Sequence, residues 1–531
     1  MRRVLNAGAA LCCIAAAFAA AANPDDPVAS SSLPTINAEF PRPDVLAPNI
    51  AFWTQVFSQY SAYQSIIHSQ DAPQKIYAVL DFRDDRDRLG ETAARRTQIR
   101  TEKAVEREVD GYLRHVQLLS KTPEKLSPVE RRLYDMFADG TDPDRWAKAI
   151  GRFRAQRGLK EATERALNVS GSYLPRMEET FKAKGLPVLL TRLPLVESSF
   201  NVEAYSKVGA AGLWQFIPSS ARIYMRLDEA VDDRRDPWTS TEAAAQHLKQ
   251  DYAVLGNWPL AITAYNFGRD GLARGLREVK GTQLDDLLTR WDGKRFGFAS
   301  RNFYSEFIAA SDVERDYRTH FGDIQRRDPI DFESAQTTHF VAYESLRHCA
   351  AVDEETFRSL NPGFRPEVLD GRLYVPPQTT IRVPVGKGEA FKAAYQLLGD
   401  DQRFDQQRFY YVRYRVQKGD NLGAIARRYG VGVSSLKEAN GIGSRTFIRA
   451  GQFLRIPPRG GAHSVKVAAK AEPTPSVVNG ITYLMHRVRP GQNLSTIAEQ
   501  YRTTIVTLRQ LNGLEESQVV RTGTTLKVPS Y

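Results

Sequence analysis

Glu197 closes an apolar run, Leu186 to Val196, in which Arg192 is the one charge. Behind it come Ser198-Ser199-Phe200, Tyr205, the glycines Gly209 and Gly212, and then Leu213-Trp214-Gln215-Phe216-Ile217-Pro218. A carboxyl group at the end of a buried run holds its proton unusually well, because low dielectric disfavours the anion. A carboxylic acid still protonated near neutral pH is what cleavage of a glycosidic bond needs. A glutamate that merely ends a helix and meets solvent is the plainer alternative. A packed all-helical domain with no site would explain the alanines and leucines nearby. It would not explain why a Glu, a Gln, a Tyr and an Asn (Glu197, Gln215, Tyr265 and Asn266) each stand at the end of an apolar segment.

Other chemistry lacks its residues. The eight histidines show no H-E-x-x-H, and no Cys/His spacing suits a metal, so no metal ligands are expected. Gly268-Arg269-Asp270-Gly271 is too poor a match for a phosphate-binding loop, and no cofactor is expected.

The elements that must position Glu197 follow from local pattern. Pro187 suits the start of a helix running to Val196. Pro194 should kink that helix or begin a new short one, and either turns Glu197 towards a cleft. Pro218 precedes a helix over Ser219–Tyr224. Another is expected from Thr239/Ser240 to Leu255, with Ala243, Ala244, His247, Leu248 and Tyr252 as its packing side. A third, Leu260 to Tyr265, ends at Asn266-Phe267-Gly268, where Gly268 suits a C-terminal cap. Upstream, residues 51–171 read as helical. Phe52, Val56, Ile66 and Ile67 begin the pattern, and Val105, Val109, Tyr112, Leu113 and Val116 share one face. That region is either scaffold or a substrate guide. Residues 23–50, rich in Pro, Ser and Ala, read as an extended tether. After about residue 325 strand-like pieces enter: His339–Val341, Arg372–Val375 and Thr380–Val383.

With 531 residues the chain needs two or more domains. Its formal charge of +11 would suit nucleic acid, an anionic membrane or an acidic polymer. No dense Lys/Arg block with interleaved aromatics is present, which sets nucleic acid aside. Arg2 and Arg3, the apolar run Ala7–Ala22, and Ala20 and Ala22 before Asn23 read as a secretory signal over 1–22. No later apolar run approaches that length. Cys12 and Cys13 lie inside the signal, which leaves Cys349 alone and no internal disulfide. Bacterial lipoprotein signals resemble Leu-small-small-Cys. Neither Cys12 nor Cys13 fits, so simple cleavage is favoured over a lipid anchor, with the periplasm and cell envelope as the destination and peripheral or lipid-anchored association with the outer membrane as the alternative. Nothing points to an obligate oligomer.

The clearest internal signal is a repeat. Tyr414–Pro457 aligns without gaps on His486–Pro529, matching Gly419/Gly491, Asn421/Asn493, Leu422/Leu494, Ile425/Ile497, Asn440/Asn512 and Pro457/Pro529, among others. Each copy reads as strand, turn, helix, helix, turn, strand. Leu422, Ile425, Ala426 and Tyr429 fall on one helical face. The modules span 413–458 and 485–530, and Gly460, Gly461, Pro473 and Pro475 mark 459–481 as a linker. Tandem linked modules suit avidity for a repetitive ligand.

These residues carry a resemblance. Val196-Glu197-Ser198-Ser199-Phe200, Gly209-Ala210-Ala211-Gly212-Leu213-Trp214-Gln215-Phe216 and Ala264-Tyr265-Asn266 resemble the catalytic domain of the lytic murein transglycosylases. The repeats resemble LysM modules through Val416–Leu422 and Val488–Leu494, with residues 337–385 as a degenerate third copy. The resemblance implies a mainly helical, goose-lysozyme-like domain over 172–325, followed by small βααβ modules. It implies cleavage of the β-1,4 bond between N-acetylmuramic acid and N-acetylglucosamine in peptidoglycan, within the cell envelope. Glu197 matches the family's catalytic acid, which protonates the leaving oxygen and then takes the proton of the muramyl C6 hydroxyl. Ser198 matches a residue that orients the sugar. Gln215 and the Tyr265-Asn266 pair match cleft residues that bind sugar and hold the acid. The family often carries a late Tyr-Val pair. Here the stretch is Arg301-Asn302-Phe303-Tyr304, so Tyr304 serves only by a small shift, and Tyr265 is the expected partner of Glu197. LysM similarity implies binding of N-acetylglucosamine-containing glycan at the first turn, Gly419, Asp420 and Asn421 in one copy and Gly491, Gln492 and Asn493 in the other, and at the second loop. A hydrolytic muramidase and a non-catalytic wall-binding scaffold remain as rivals.

Overall fold

The computed structural model describes residues 39–408, 411–443, 447–457, 476–478 and 481–488, and most of 505–514 and 524–529, with a few single positions between. The signal over 1–22, most of the linker, and Gly491, Gln492 and Asn493 lie outside the described residues. Two compact units form. Of the described residues, one holds those up to Thr338 together with Leu346–Arg365 and Pro377–Gly399; the other holds His339–Ser345, Pro366–Pro376 and those from Asp400 on.

The first unit is mainly helical, with one large core and a second, smaller one around Tyr77, Leu113 and Trp146. Phe181 and Trp214 stack within the large core, ring centroids 5.7 Å apart, and both are buried. The helix Phe298–Arg315 runs through this core against Ala47–Ser58, Trp258–Phe267 and the short helix Leu193–Glu197. Pro194 does begin a new short helix: Val188–Arg192 is a 3-10 turn, and Leu193–Glu197 follows with the proline in its first turn. Trp258–Phe267 ends at Gly268, whose φ of 98° no side-chain-bearing residue adopts easily.

Three expectations fail here. Residues 39–50 are not a tether: Phe40, Leu46 and Ile50 are buried in the core, and the helix Ala47–Ser58 begins inside the stretch. Proline in the first turn of a helix resembles a Pro-rich linker in composition alone. Nor is 51–171 wholly helical. Gln64–Ser69, Ile76–Asp81 and Phe153–Arg157 form an antiparallel three-stranded sheet with Gln64–Ser69 at its centre. Ile66 and Ile67 are both buried in that central strand, and a short apolar pair cannot tell strand from helix by period. The long helix Glu91–Leu118 does present Val105, Val109, Leu113 and Val116 as one buried face. Lastly, Arg372–Val375 is no strand; Val375 alone bridges to Val341.

The third copy takes the βααβ plan, beginning at Glu333 rather than 337. Glu333–Gln336 pairs antiparallel with Thr380–Val383, and Tyr343–Ala350 and Glu354–Leu360 lie between them in sequence. One side chain recurs in the same role in all three. Asn361 donates to Phe357 O and Arg382 O and accepts from Arg382 N, at 2.8–2.9 Å. Asn440 does the same with Leu436 and Arg455, and Asn512 with Leu508 and Lys527. In the second unit Val412–Arg415 pairs with Phe453–Ile456 around the helices Leu422–Tyr429 and Val433–Ala439. The last module pairs Ile481–Arg487 with Thr525–Pro529 and adds a strand, Ser476–Val478, from what read as linker.

Candidate active site

Glu197 ends its short helix at the floor of a cleft of about 600 Å³, whose walls include Gln215, Phe216, Tyr224, Tyr265 and Asn266. The backbone that builds it is strained. Ser199, Phe200 and Gln215, none of them glycine, have φ of 50°, 53° and 48°, which costs roughly 1 kcal/mol or more each. Buried contacts hold them there. Phe200 is buried, and its N–H bonds to Pro194 O at 3.1 Å. Gln215 Nε2 donates to Gly212 O at 2.8 Å. Gly212 itself has φ 74°, and a Cβ there would stand 1.8 Å from Arg234 O, so no larger residue fits. The buried Arg234 grips Asp232 through two 2.8 Å bonds and donates to Gly209 O at 2.6 Å and Phe216 O at 3.2 Å. It ties the cleft loop down at both ends.

The acid's electrostatics follow from its setting. Burial raises the Glu197 carboxyl from 4.5 to about 8, and the negative charge of Glu306 adds to it. Glu306, on Phe298–Arg315, is itself raised to about 8 by burial, with Arg154 opposing. Tyr265 is held well above the tyrosine range by burial, with the Glu197 charge as the next cause.

The four residues at segment ends, Glu197, Gln215, Tyr265 and Asn266, share this cleft. Two expected members and one expected contact do not fit. Tyr265 Oη donates to Trp214 O at 2.8 Å, fixing the wall rather than reaching the acid as its partner. Ser198 Oγ shares its one proton between Leu213 O at 2.9 Å and Pro194 O at 3.3 Å, and the residue is not among those lining the cleft. Tyr304 is fully buried and donates to Pro41 O at 2.9 Å. It pins the segment before Ala47–Ser58, away from the cleft. Phe303 beside it is buried in the same core. Tyr304→Phe is therefore expected to leave kcat/KM within about twofold of wild type while costing about 1–2 kcal/mol in denaturant unfolding, because it orphans a buried carbonyl.

Sequence reasoning missed the far wall of the cleft. His247 packs between Tyr224 and Tyr265, ring centroids 5.2 and 5.1 Å away. Its Nε2 stands 3.3 Å from Oδ2 of the fully buried Asp251, which Arg269 meets from the other side at 3.1 Å. Burial, then Arg269, lowers His247 to about 4, and burial raises Asp251 to about 7 against the pull of Arg269. A His and an Asp four apart on an alanine-rich helix were the available signal. Glu306 was visible as a lone charge between Phe303 and Ala310.

In the first LysM-type turn, Asp420 accepts from Tyr414 Oη at 2.6 Å and Gln417 N at 2.8 Å, and Asn421 caps the next helix through Ala424 N at 2.8 Å. Gly419 takes φ 93°. These side chains shape the turn. Among the described residues no group of three metal-ligating side chains gathers, and no helix is long and apolar enough to cross a membrane.

Comparison with known proteins places this site in a class. The chain carries a transglycosylase SLT domain over 177–287 and LysM domains over 414–457 and 486–529. It is homologous to the membrane-bound lytic murein transglycosylase D of Escherichia coli K12, 26% identical over 343 residues that cover 62% of this chain and 71% of the relative. Shorter matches reach an autolysin of Enterococcus faecalis, 34% identical over 115 residues (22% of this chain, 14% of the relative). They also reach the N-acetylmuramoyl-L-alanine amidase sle1 of Staphylococcus aureus USA300, 36% identical over 101 residues (19% and 29%).

Proposed function

We propose that the chain is a peptidoglycan lytic transglycosylase that acts on the wall of the cell envelope, exported by its N-terminal signal and held on glycan by its LysM domains. The observation that carries this reading is the place of Glu197, its carboxyl raised by burial to about 8, in a cleft of about 600 Å³ that it shares with Gln215, Tyr265 and Asn266. In this reading Glu197 protonates the glycosidic oxygen as the bond to muramyl C1 breaks. The resulting carboxylate then takes the proton of the C6 hydroxyl, whose oxygen closes onto C1. No water is consumed, and the acid ends protonated. Gln215 and Asn266 hold the sugar. Ser300 Oγ orients Asn266 by a 2.7 Å bond to its Oδ1.

Glu306 favours a second reading, because hydrolytic glycosidases use paired carboxyl groups. Two facts weigh against it. Glu306 is not among the cleft-lining residues, and a carboxyl raised to about 8 is protonated at neutral pH, unfit to serve as nucleophile or base. Product mass decides between them. Purified sacculi digested by the protein should yield muropeptides with 1,6-anhydro ends, one water lighter than reducing ends. Reducing ends would make the protein a muramidase, and no soluble product would make it a scaffold.

A further inference from the structure

The third βααβ copy is docked on the lysozyme-like domain by the two ends of its second loop. Asp232 N donates to Gly363 O at 2.8 Å and Arg365 N to Ala230 O at 3.0 Å. Arg226 Nη1 donates to Pro377 O at 3.2 Å and Thr379 Oγ1 at 2.9 Å. Between the two surfaces is a cavity of about 230 Å³, lined by Tyr224, Arg226 and Asp233 from the domain and by Phe364, Gln378 and Thr380 from the copy. Tyr224 also lines the Glu197 cleft, where its ring stacks on His247. One residue thus lines both spaces.

The lining has a definite chemistry. Arg226 is spent on Pro377 and Thr379, with Asp228 3.6 Å away, so the cavity offers no unspent cation from it. Asp233, which lines the cavity, uses Oδ2 on Arg226 N at 3.0 Å. Burial, then the charge of Asp236, raises this carboxyl to about 7, so it both donates and accepts near neutral pH. Gln378 has φ 57° and is held there by its N–H to Thr337 O at 2.7 Å. Strain of that kind is kept where the surroundings over-determine it. The amide of Gln378, the hydroxyl of Thr380 and the carboxylic acid of Asp233, in a lining that also includes Tyr224 and Phe364, suit a neutral polyhydroxylated ring. The volume, below that of drug-sized pockets of about 300–1,000 Å³, suits a single one.

We propose that this cavity is a saccharide subsite, built jointly by the third copy and the lysozyme-like domain, that takes one further sugar of the strand whose scissile bond lies at Glu197. The proposal rests on the glycan-cleaving reading above. Thr380→Trp fills the cavity, and Gln378→Ala removes one of its hydrogen-bonding groups. Both are measured in the full chain for kcat/KM on the shortest glycan oligosaccharide that wild type cleaves and on a strand several disaccharides longer. Thr380→Trp should lose about tenfold on the long strand, equivalent to one good sugar contact, and nothing on the short one. Gln378→Ala should lose about threefold in the same pattern. Equal rates to wild type on both lengths, or equal losses on both, would overturn the subsite. If Thr380→Trp does not fold, the length dependence of Gln378→Ala decides alone. Wild type cleaving neither length would instead sink the reading of the Glu197 cleft.

Discussion

Glu197→Gln should lower turnover of purified sacculi by about 10²–10⁴-fold or more, the contribution of a positioned acid, with wall binding unchanged. The amide fills the same space and has no proton to give. Wild type should show the matching pH profile. Only the protonated acid starts the reaction, so kcat/KM should fall as pH rises through about 8. Because Glu306 shares the local charge, the midpoint belongs to the pair. Stability moves with the same protons. The folded pKa of Glu197 lies above its ordinary 4.5, so between these values the folded state binds more protons than the unfolded one. This group's contribution is therefore full below about 4.5 and is lost as pH rises through about 8. Glu197→Gln should then unfold at a higher temperature than wild type at pH 8.5 and show no such gain at pH 4. A variant inactive but no more stable at high pH would place the carboxyl in water.

The second large effect is expected at Asp236. Its side chain accepts from Trp238 N and Thr239 N, capping the helix Pro237–Leu255 that carries His247 and Asp251. It also pairs with Arg382 of the third copy, and both residues are about 5% exposed. Arg382 donates further to Thr239 Oγ1 at 3.0 Å and lies over the rings of Trp238 and Phe332. Removing one member of a buried pair strands the other, at a cost of about 3–5 kcal/mol. Losing the cap adds about 1 kcal/mol. Asp236→Ala should therefore cost more than Arg382→Met in urea unfolding. Arg382→Met combined with Asp236→Asn, which keeps the cap and leaves no unpaired charge, should recover part of the loss. Equal stability of Asp236→Ala and wild type would mean the pair is open to solvent.

What could be read in advance was what neighbours in sequence decide. Glu197, Gln215, Tyr265 and Asn266 were legible because each ends an apolar segment, and the repeat because its spacing is constant. Tyr304 was misplaced because a helix offers two adjacent residues to different faces, and the chain alone does not say which face meets the cleft. Asp236 and Arg382 are 146 residues apart, and no local pattern announces such a pair. The sheet Gln64–Ser69, Ile76–Asp81, Phe153–Arg157 was lost for the same reason, since its third strand joins across a long helical excursion.

The asparagine lock has a consequence for how such modules change over time. In the two LysM domains it reaches a strand residue 15 positions away; in the third copy, 21. Three bonds from one amide thus close the module whatever the length of chain between them. Insertions at that point cost only the slow entropy of a longer loop, and so the module can acquire a new neighbour without first losing its own fold. For an engineer, this is the place to splice in a foreign recognition loop.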